Sequence, residues 1–369
     1  MEEAPLGGLS PQAFLRRHWQ KRPLLVRRAL PGFRGVIDKS ALFALAARSE
    51  VESRLVERRG KRWAVTHGPL TKSSLRKAGA RNWTLLVNGV NGYGEAAERL
   101  LRRFAFIPQA RIDDLMVSYA APGGGVGPHF DSYDVFLLQG EGRRLWRLAR
   151  ARRFELVPGV PLKLIAGFRA EDELLLEPGD LLYLPPGWGH DGIALEPCFT
   201  YSIGFRAPGG AELAAGFLDY LHERGLPDAA YRDPGLRPAT RPARIGPEMA
   251  AFAETQLARI RWRRADVHEF LGRYLSTPKP NVMFRGSIRR VSGLSGFEAI
   301  LNSKTQFLYL GSRFFINGES LRAHGSQRKA LAELADRRRA PGRALARAGL
   351  GRLILEWHRC GFLSLGAKK

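Results

Sequence analysis

Between Asp114 and Phe205, apolar runs of four to seven residues are repeatedly broken by glycine and proline. Leu115–Ala120, Tyr133–Gln139, Arg144–Leu148, Glu173–Leu176, Leu181–Leu184 and Thr200–Phe205 all read as strands. Many short strands punctuated by turn signals constrain this part of the chain to a barrel or a sandwich. Helical signals lie outside it. Leu15 and Trp19 stand one turn apart, Glu95–Phe104 reads as a helix, and Arg81–Asn88 is strand-like.

Within the strand-rich region, His129-Phe130-Asp131 is followed 59 residues after the aspartate by His190. Two histidines and one carboxylate are the protein ligands of the facial triad that holds non-heme Fe(II) with open positions. Side chains two apart on a strand share a face, so His129 and Asp131 can point inward together. The run Gly123-Gly124-Gly125-Val126-Gly127-Pro128 delivers the first of them. His190 comes after the turn Pro185-Pro186-Gly187-Trp188, and its expected place is just past a strand end. No Lys-Ser/Thr follows the glycine run, as a phosphate-binding loop would need.

Three protein ligands leave room on an octahedral iron for a bidentate 2-oxo acid and dioxygen. Such an acid carries a distal carboxylate that calls for a buried cation. Alternation along Arg143–Leu148 puts Arg144, Trp146 and Leu148 on one face. The planar fork of Arg144 matches a carboxylate bidentately. Ser118, near the end of the strand before the glycine loop, can add a hydroxyl donor. Tyr133 and Asp134, just past the iron-binding pair, are candidate partners for a cationic substrate side chain.

After Phe205 the character changes. Ala207-Pro208-Gly209-Gly210 marks a boundary, Ala211–Gly225 is helical, and a Pro/Arg-rich linker leads into a helical stretch over Glu248–Ser276. Thr277-Pro278-Lys279-Pro280 is a second boundary. The expected domains are therefore 1–206, 207–278 and 279–369. The mixture of short helices and strands in the last suits a small winged-helix-like module. It carries 18 Lys and Arg against 5 Asp and Glu, within a chain of net charge +24. Such a surface can dock on RNA or a ribonucleoprotein. The excess of 48 Arg over 11 Lys equally fits a compositional bias with a solvated face.

The two cysteines, Cys198 and Cys360, lie far apart, which speaks against a disulfide framework or a multi-cysteine zinc site. No apolar run reaches the roughly 20 residues of a membrane span. The opening Met1-Glu2-Glu3-Ala4-Pro5 has no secretory core, so a cytoplasmic location is expected.

The stretch Asp113–Gly140 resembles the bacterial ribosomal oxygenases, JmjC-type cupin-fold enzymes. So do Trp83–Val87, Pro185–Gly192, Tyr201–Pro208 and the opening Phe14–Leu24. The resemblance covers residues 1 to about 210. It implies an α+β protein: a double-stranded β-helix domain, a helical dimerisation segment and a winged-helix domain. It also implies Fe(II)- and 2-oxoglutarate-dependent hydroxylation of an arginine in large-subunit ribosomal protein sixteen, giving succinate and CO2. His129, Asp131 and His190 would be the iron ligands, and Ser118 and Arg144 would bind the distal carboxylate of 2-oxoglutarate. Other readings stay open. The same chemistry could act on a histidine or methyl-lysine, or the protein could be a non-catalytic cupin that binds the ribosome or its RNA.

Overall fold

Successive residues of a strand face opposite ways, and in Val135–Gln139 this parity sorts the side chains into two cores. Phe136 and Leu138 join one buried cluster, while Val135 and Leu137 join another. A strand covered on both faces has no polar side, which is why the sequence there is a continuous apolar run. The same holds for Leu181–Leu184, where Leu181 and Tyr183 join the first cluster and Leu182 and Leu184 the second.

The computed structural model describes residues 3–150, 154–287, 291 and 293–367. Its first twelve strands are β1 (Leu24–Val26), β2 (Ser53–Arg59), β3 (Arg62–His67), β4 (Trp83–Val87), β5 (Ile112–Ala120) and β6 (His129–Phe130). They continue with β7 (Val135–Gln139), β8 (Arg144–Arg150), β9 (Asp172–Leu176), β10 (Leu181–Leu184), β11 (Trp188–Ala194) and β12 (Cys198–Phe205). Eight form a sheet in the order β1-β10-β7-β12-β5-β4-β2-β3, and four form a second sheet, β6-β11-β8-β9. All pairings in both sheets are antiparallel. Residues of both sheets line a common cavity, as a double-stranded β-helix requires.

The outer face of the large sheet is closed by the N-terminal helices. Phe14 comes from the helix Pro11–Arg17, which Ser10 caps by accepting from the Ala13 N–H at 3.2 Å. Proline at the first helical position suits that start. Phe14 is fully buried against Tyr183 and Phe136, at ring separations of 4.9 and 5.4 Å. Burial of such a ring contributes about 1.5–3 kcal/mol.

The strands β2, β3 and β11 were not legible in the sequence. The hairpin β2–β3 is rich in arginine, and β3 is a largely exposed edge strand with only Trp63 and Val65 half-buried. β11 holds Gly189, Asp191 and Gly192 around His190, and glycine and aspartate are depleted from strands. Its pairing with both β6 and β8 overrides that propensity. His190 is thus inside a strand, not past the end of one. The helical stretch expected over Glu248–Ser276 is two helices, Pro247–Ala258 and Arg264–Ser276. The second starts afresh because the Asp266 carboxylate accepts from the Arg263 N–H at 2.7 Å.

Backbone contacts divide the chain into two units. One comprises Met1–Ala207, Pro278–Thr305 and Asp336–Lys369, the other Pro208–Thr277 and Gln306–Ala335. Residues 279–369 are therefore shared between them. The first unit includes a small sheet of Arg339–Pro341, Phe297–Leu301 and Leu363–Ala367. The second packs Phe217 and Phe270 at 5.5 Å and carries a three-stranded sheet, Phe307–Leu310, Arg313–Ile316 and Glu319–Arg322. No helix among the described residues is long and apolar enough to cross a membrane.

Candidate metal centre

The backbone brings His129 and His190 face to face. They are direct partners in the β6–β11 ladder, and their rings lie 4.2 Å apart between centroids. The glycine run makes this approach possible. A Cβ on Gly125 would stand 2.4 Å from the Gly192 carbonyl, and one on Gly127, at φ +77, would strike Leu164 and Trp63. Asp131 follows β6 by one residue and is tied to the turn before β11, its carbonyl accepting from the Gly187 N–H at 2.8 Å.

The donor atoms of His129, Asp131 and His190 all lie within 4.8 Å of one another. His190 Nε2 and Asp131 Oδ2 are 3.7 Å apart, too far for a hydrogen bond but close enough to share a cation. Each imidazole has its other nitrogen committed. His129 Nδ1 donates to the Gly127 carbonyl and His190 Nδ1 to the Trp188 carbonyl, both at 2.9 Å. A carbonyl can only accept, so each Nδ1 carries the proton and each Nε2 lone pair is free to ligate. Burial, reinforced by neighbouring His129, pushes the His190 pKa down to about 4. The ring is therefore neutral at physiological pH, the form a metal takes. Nitrogen and carboxylate donors on one side of a cavity fit a divalent transition metal with positions left open.

The triad opens into a cavity of about 480 Å³ whose two ends differ. Along β5, Asp114, Met116 and Ser118 line it in succession. Asp114 and Ser118 thus mark levels roughly 13 Å apart. At the Ser118 end stand Thr200, directly across the ladder, together with Thr84 and Arg144. On the opposite sheet, β11 pairs His190 with Leu148 and Ala194 with Arg144, so Arg144 lies two same-face steps from the triad.

Arg144 is 5% exposed, and its Nε has no hydrogen-bond partner among the described residues. Among these residues its guanidinium meets the Cys198 sulfur, at 3.7 Å, and the Trp146 ring, at 5.7 Å. A buried cation without a counter-charge is costly, so this end of the cavity is built to receive an anion. Ser118 reaches the Thr200 carbonyl in a long 3.5 Å contact and keeps a hydroxyl on the cavity wall. Thr84 Oγ1 and Trp146 Nε1 are also buried, with no partner among the described residues.

Structure separates the two mouth candidates. Tyr133 lines the cavity and is 40% exposed. Asp134, after the bend that leads into β7, faces the other way and is completely buried. It accepts from the Tyr183 hydroxyl at 2.6 Å and the Gln20 amide at 3.0 Å, and pairs with Arg111 at 3.4 Å. It therefore serves the core and not the mouth. The carboxylates at the mouth are Asp113 and Asp114, bridged by Lys279 at 3.2 and 3.1 Å. Burial lifts the Asp114 carboxyl above its ordinary range, against the pull of Lys279. Their adjacent positions at the start of β5 were the only sequence sign of them.

Residues 99–213 match the family model described as a JmjC domain, and residues 259–363 match that of a ROXA-like winged helix. A segment of 249 residues is 46% identical to the ribosomal protein uL16 3-hydroxylase of Escherichia coli (strain K12), covering 67% of this chain and 66% of that protein. The probable ribosomal oxygenase of Haemophilus influenzae is 37% identical over 213 residues, 56% of this chain and 52% of that protein. These aligned segments span less than two thirds of either relative. In three dimensions the likeness runs the whole length. The X-ray structure of E. coli YcfD gives a TM-score of 0.84 at 34% identity, covering 97% of this chain and 99% of that one. A structure of YcfD, a ribosomal oxygenase from Escherichia coli, in complex with cobalt and 2-oxoglutarate gives 0.81 at 35% identity, covering 98% and 99%. With a JmjC sandwich, a helical segment and a winged helix in the same order, the chain belongs to the bacterial ribosomal oxygenase family.

Proposed function

We propose that this protein is an Fe(II)- and 2-oxoglutarate-dependent oxygenase that hydroxylates an arginine side chain of ribosomal protein uL16, the large-subunit protein sixteen, giving succinate and CO2. The observation that carries the reading is the pairing of two features in one cavity. Two imidazoles and a carboxylate converge at one level, and a buried guanidinium with no counter-charge among the described residues waits at another. Iron bound with 2-oxoglutarate and dioxygen supplies the oxidising power for an unactivated C–H bond.

The chain's own residues do the rest. His129, Asp131 and His190 hold the metal, with their tautomers set by the Gly127 and Trp188 carbonyls. Arg144 and Ser118 fix the distal carboxylate of the co-substrate. The apolar walls Leu86, Val135, Leu137 and Trp146 exclude water around it. At the mouth, Tyr133 offers a ring face to a guanidinium, and Asp113 and Asp114 offer charge.

The proposal extends to the rest of the chain. Residues 1–206 form the catalytic domain, 207–278 the dimerisation region and 279–369 the winged-helix module. Exposed Leu218 and Leu257 on the helices of the middle region support a homodimer. The +13 balance of residues 279–369 supports contact with ribosomal RNA. The place of work is the cytoplasm.

Succinate release on addition of uL16 tests the reading, and release that ignores the ribosomal protein contradicts it. A second test addresses the anchor. Arg144→Met removes a charge-assisted fork worth about 2–4 kcal/mol, so the KM for 2-oxoglutarate rises on the order of a hundredfold. An unchanged KM would remove Arg144 from the co-substrate site.

A further inference from the structure

Cys198 is fully buried, yet its sulfur is the only side-chain acceptor that the Arg144 guanidinium meets among the described residues, at 3.7 Å. Its place is tightly set. It pairs across the ladder with Ala120 and packs with Ala120 and Ala194, two small buried side chains. From the other side the turn at Gly142 presses on it, so closely that a Cβ there would lie 2.7 Å from the Cys198 Cβ. Cys198 also shares its strand face with Thr200 and Ser202, which line the cavity. The sulfur therefore sits just beneath the cavity floor, behind the guanidinium and one residue pair deeper than Thr200 and Ser118.

A thiol accepts hydrogen bonds weakly and is uncharged in its protonated form. A carboxylate in the same place would neutralise the arginine and close the anion site. An aliphatic side chain would leave the guanidinium free to rotate, since its Nε already lacks a partner. We infer that Cys198 is a positioning residue for Arg144: it orients the fork from behind while leaving the full positive charge for the distal carboxylate of the 2-oxo acid. This inference rests on the reading of Arg144 as the co-substrate anchor.

Calorimetry on the manganese-loaded, full-length protein tests it with 2-oxoglutarate as titrant, comparing wild type, Cys198→Ala and Cys198→Ser. Loss of one weak acceptor raises the Kd of the alanine variant about three- to tenfold. The serine variant, which keeps an acceptor in nearly the same volume, stays within about twofold of wild type. Manganese affinity is unchanged in both, because the triad lies two strand steps away. In turnover assays the KM for 2-oxoglutarate rises in the alanine variant while kcat holds. An alanine variant that binds 2-oxoglutarate as tightly as wild type overturns the proposal. So does a serine variant as weak as alanine, which would show that volume alone matters. A wild-type protein that binds no 2-oxoglutarate at all would instead bring down the functional reading beneath it.

Discussion

His129→Ala loses turnover by on the order of a thousandfold or more, beyond the 10–100-fold cost of changes behind a metal ligand. The argument is geometric. His129 and His190 are partners in a two-residue ladder, and with Asp131 they are the only group of three or more potential ligands among the described residues. Two remaining donors cannot fix one face of an octahedron. The substitution should leave the fold intact, because β6 is short, His129 is only partly buried and neither core cluster includes it. Succinate release and manganese calorimetry on the same preparation check both halves. Loss of activity with metal affinity within tenfold of wild type would mean that His129 acts on something other than the metal.

Arg338→Met is expected to cost about 3–5 kcal/mol of stability, the range for removing one partner of a buried ion pair. Arg338 sits at φ 58 just after the helix Gly325–Arg337 and is almost fully buried. Its guanidinium donates to Glu98 at 2.8 Å, to the Asn302 carbonyl at 2.7 Å and to the Thr305 carbonyl at 3.1 Å. Burial lowers its proton affinity, but an arginine stays charged. Methionine would take this donor from the Glu98 carboxylate and the Thr305 carbonyl at once, while the Asn302 carbonyl keeps the Thr305 N–H at 2.8 Å. Glu98 belongs to the helix Glu95–Arg102 beside the JmjC sheet, so the pair fastens the C-terminal segments of this unit to the catalytic fold. A drop in the guanidinium midpoint with unchanged manganese affinity is the expected pattern. A loss below about 1 kcal/mol would mean that the pair is no better than a surface bridge.

The centre was legible because its requirements are local. Parity put Arg144 and Trp146 on one face, and both line the cavity. The glycine run delivers His129 as expected, and it does so by passing Gly125 too close to the Gly192 carbonyl for a Cβ. Where the reading failed, tertiary context decided. β11 runs through glycines, histidine and aspartate because it is hydrogen-bonded on both sides. Asp134 looked like a mouth residue from proximity alone, but the bend into β7 carries its side chain into the Tyr183 core. Lys279 meets Asp113 and Asp114 across more than 160 residues of chain, a distance no local pattern spans. Nothing near Cys198 in the sequence points to Arg144, and only the fold places it behind the guanidinium.

The central claim is that this protein adds one oxygen to an arginine of a ribosomal protein. Intact-mass comparison of ribosomal proteins from cells with and without the gene tests it most directly. The account predicts one extra oxygen on uL16 alone, restored by the wild-type gene and not by His129→Ala. Identical masses for every ribosomal protein in the two strains would contradict it.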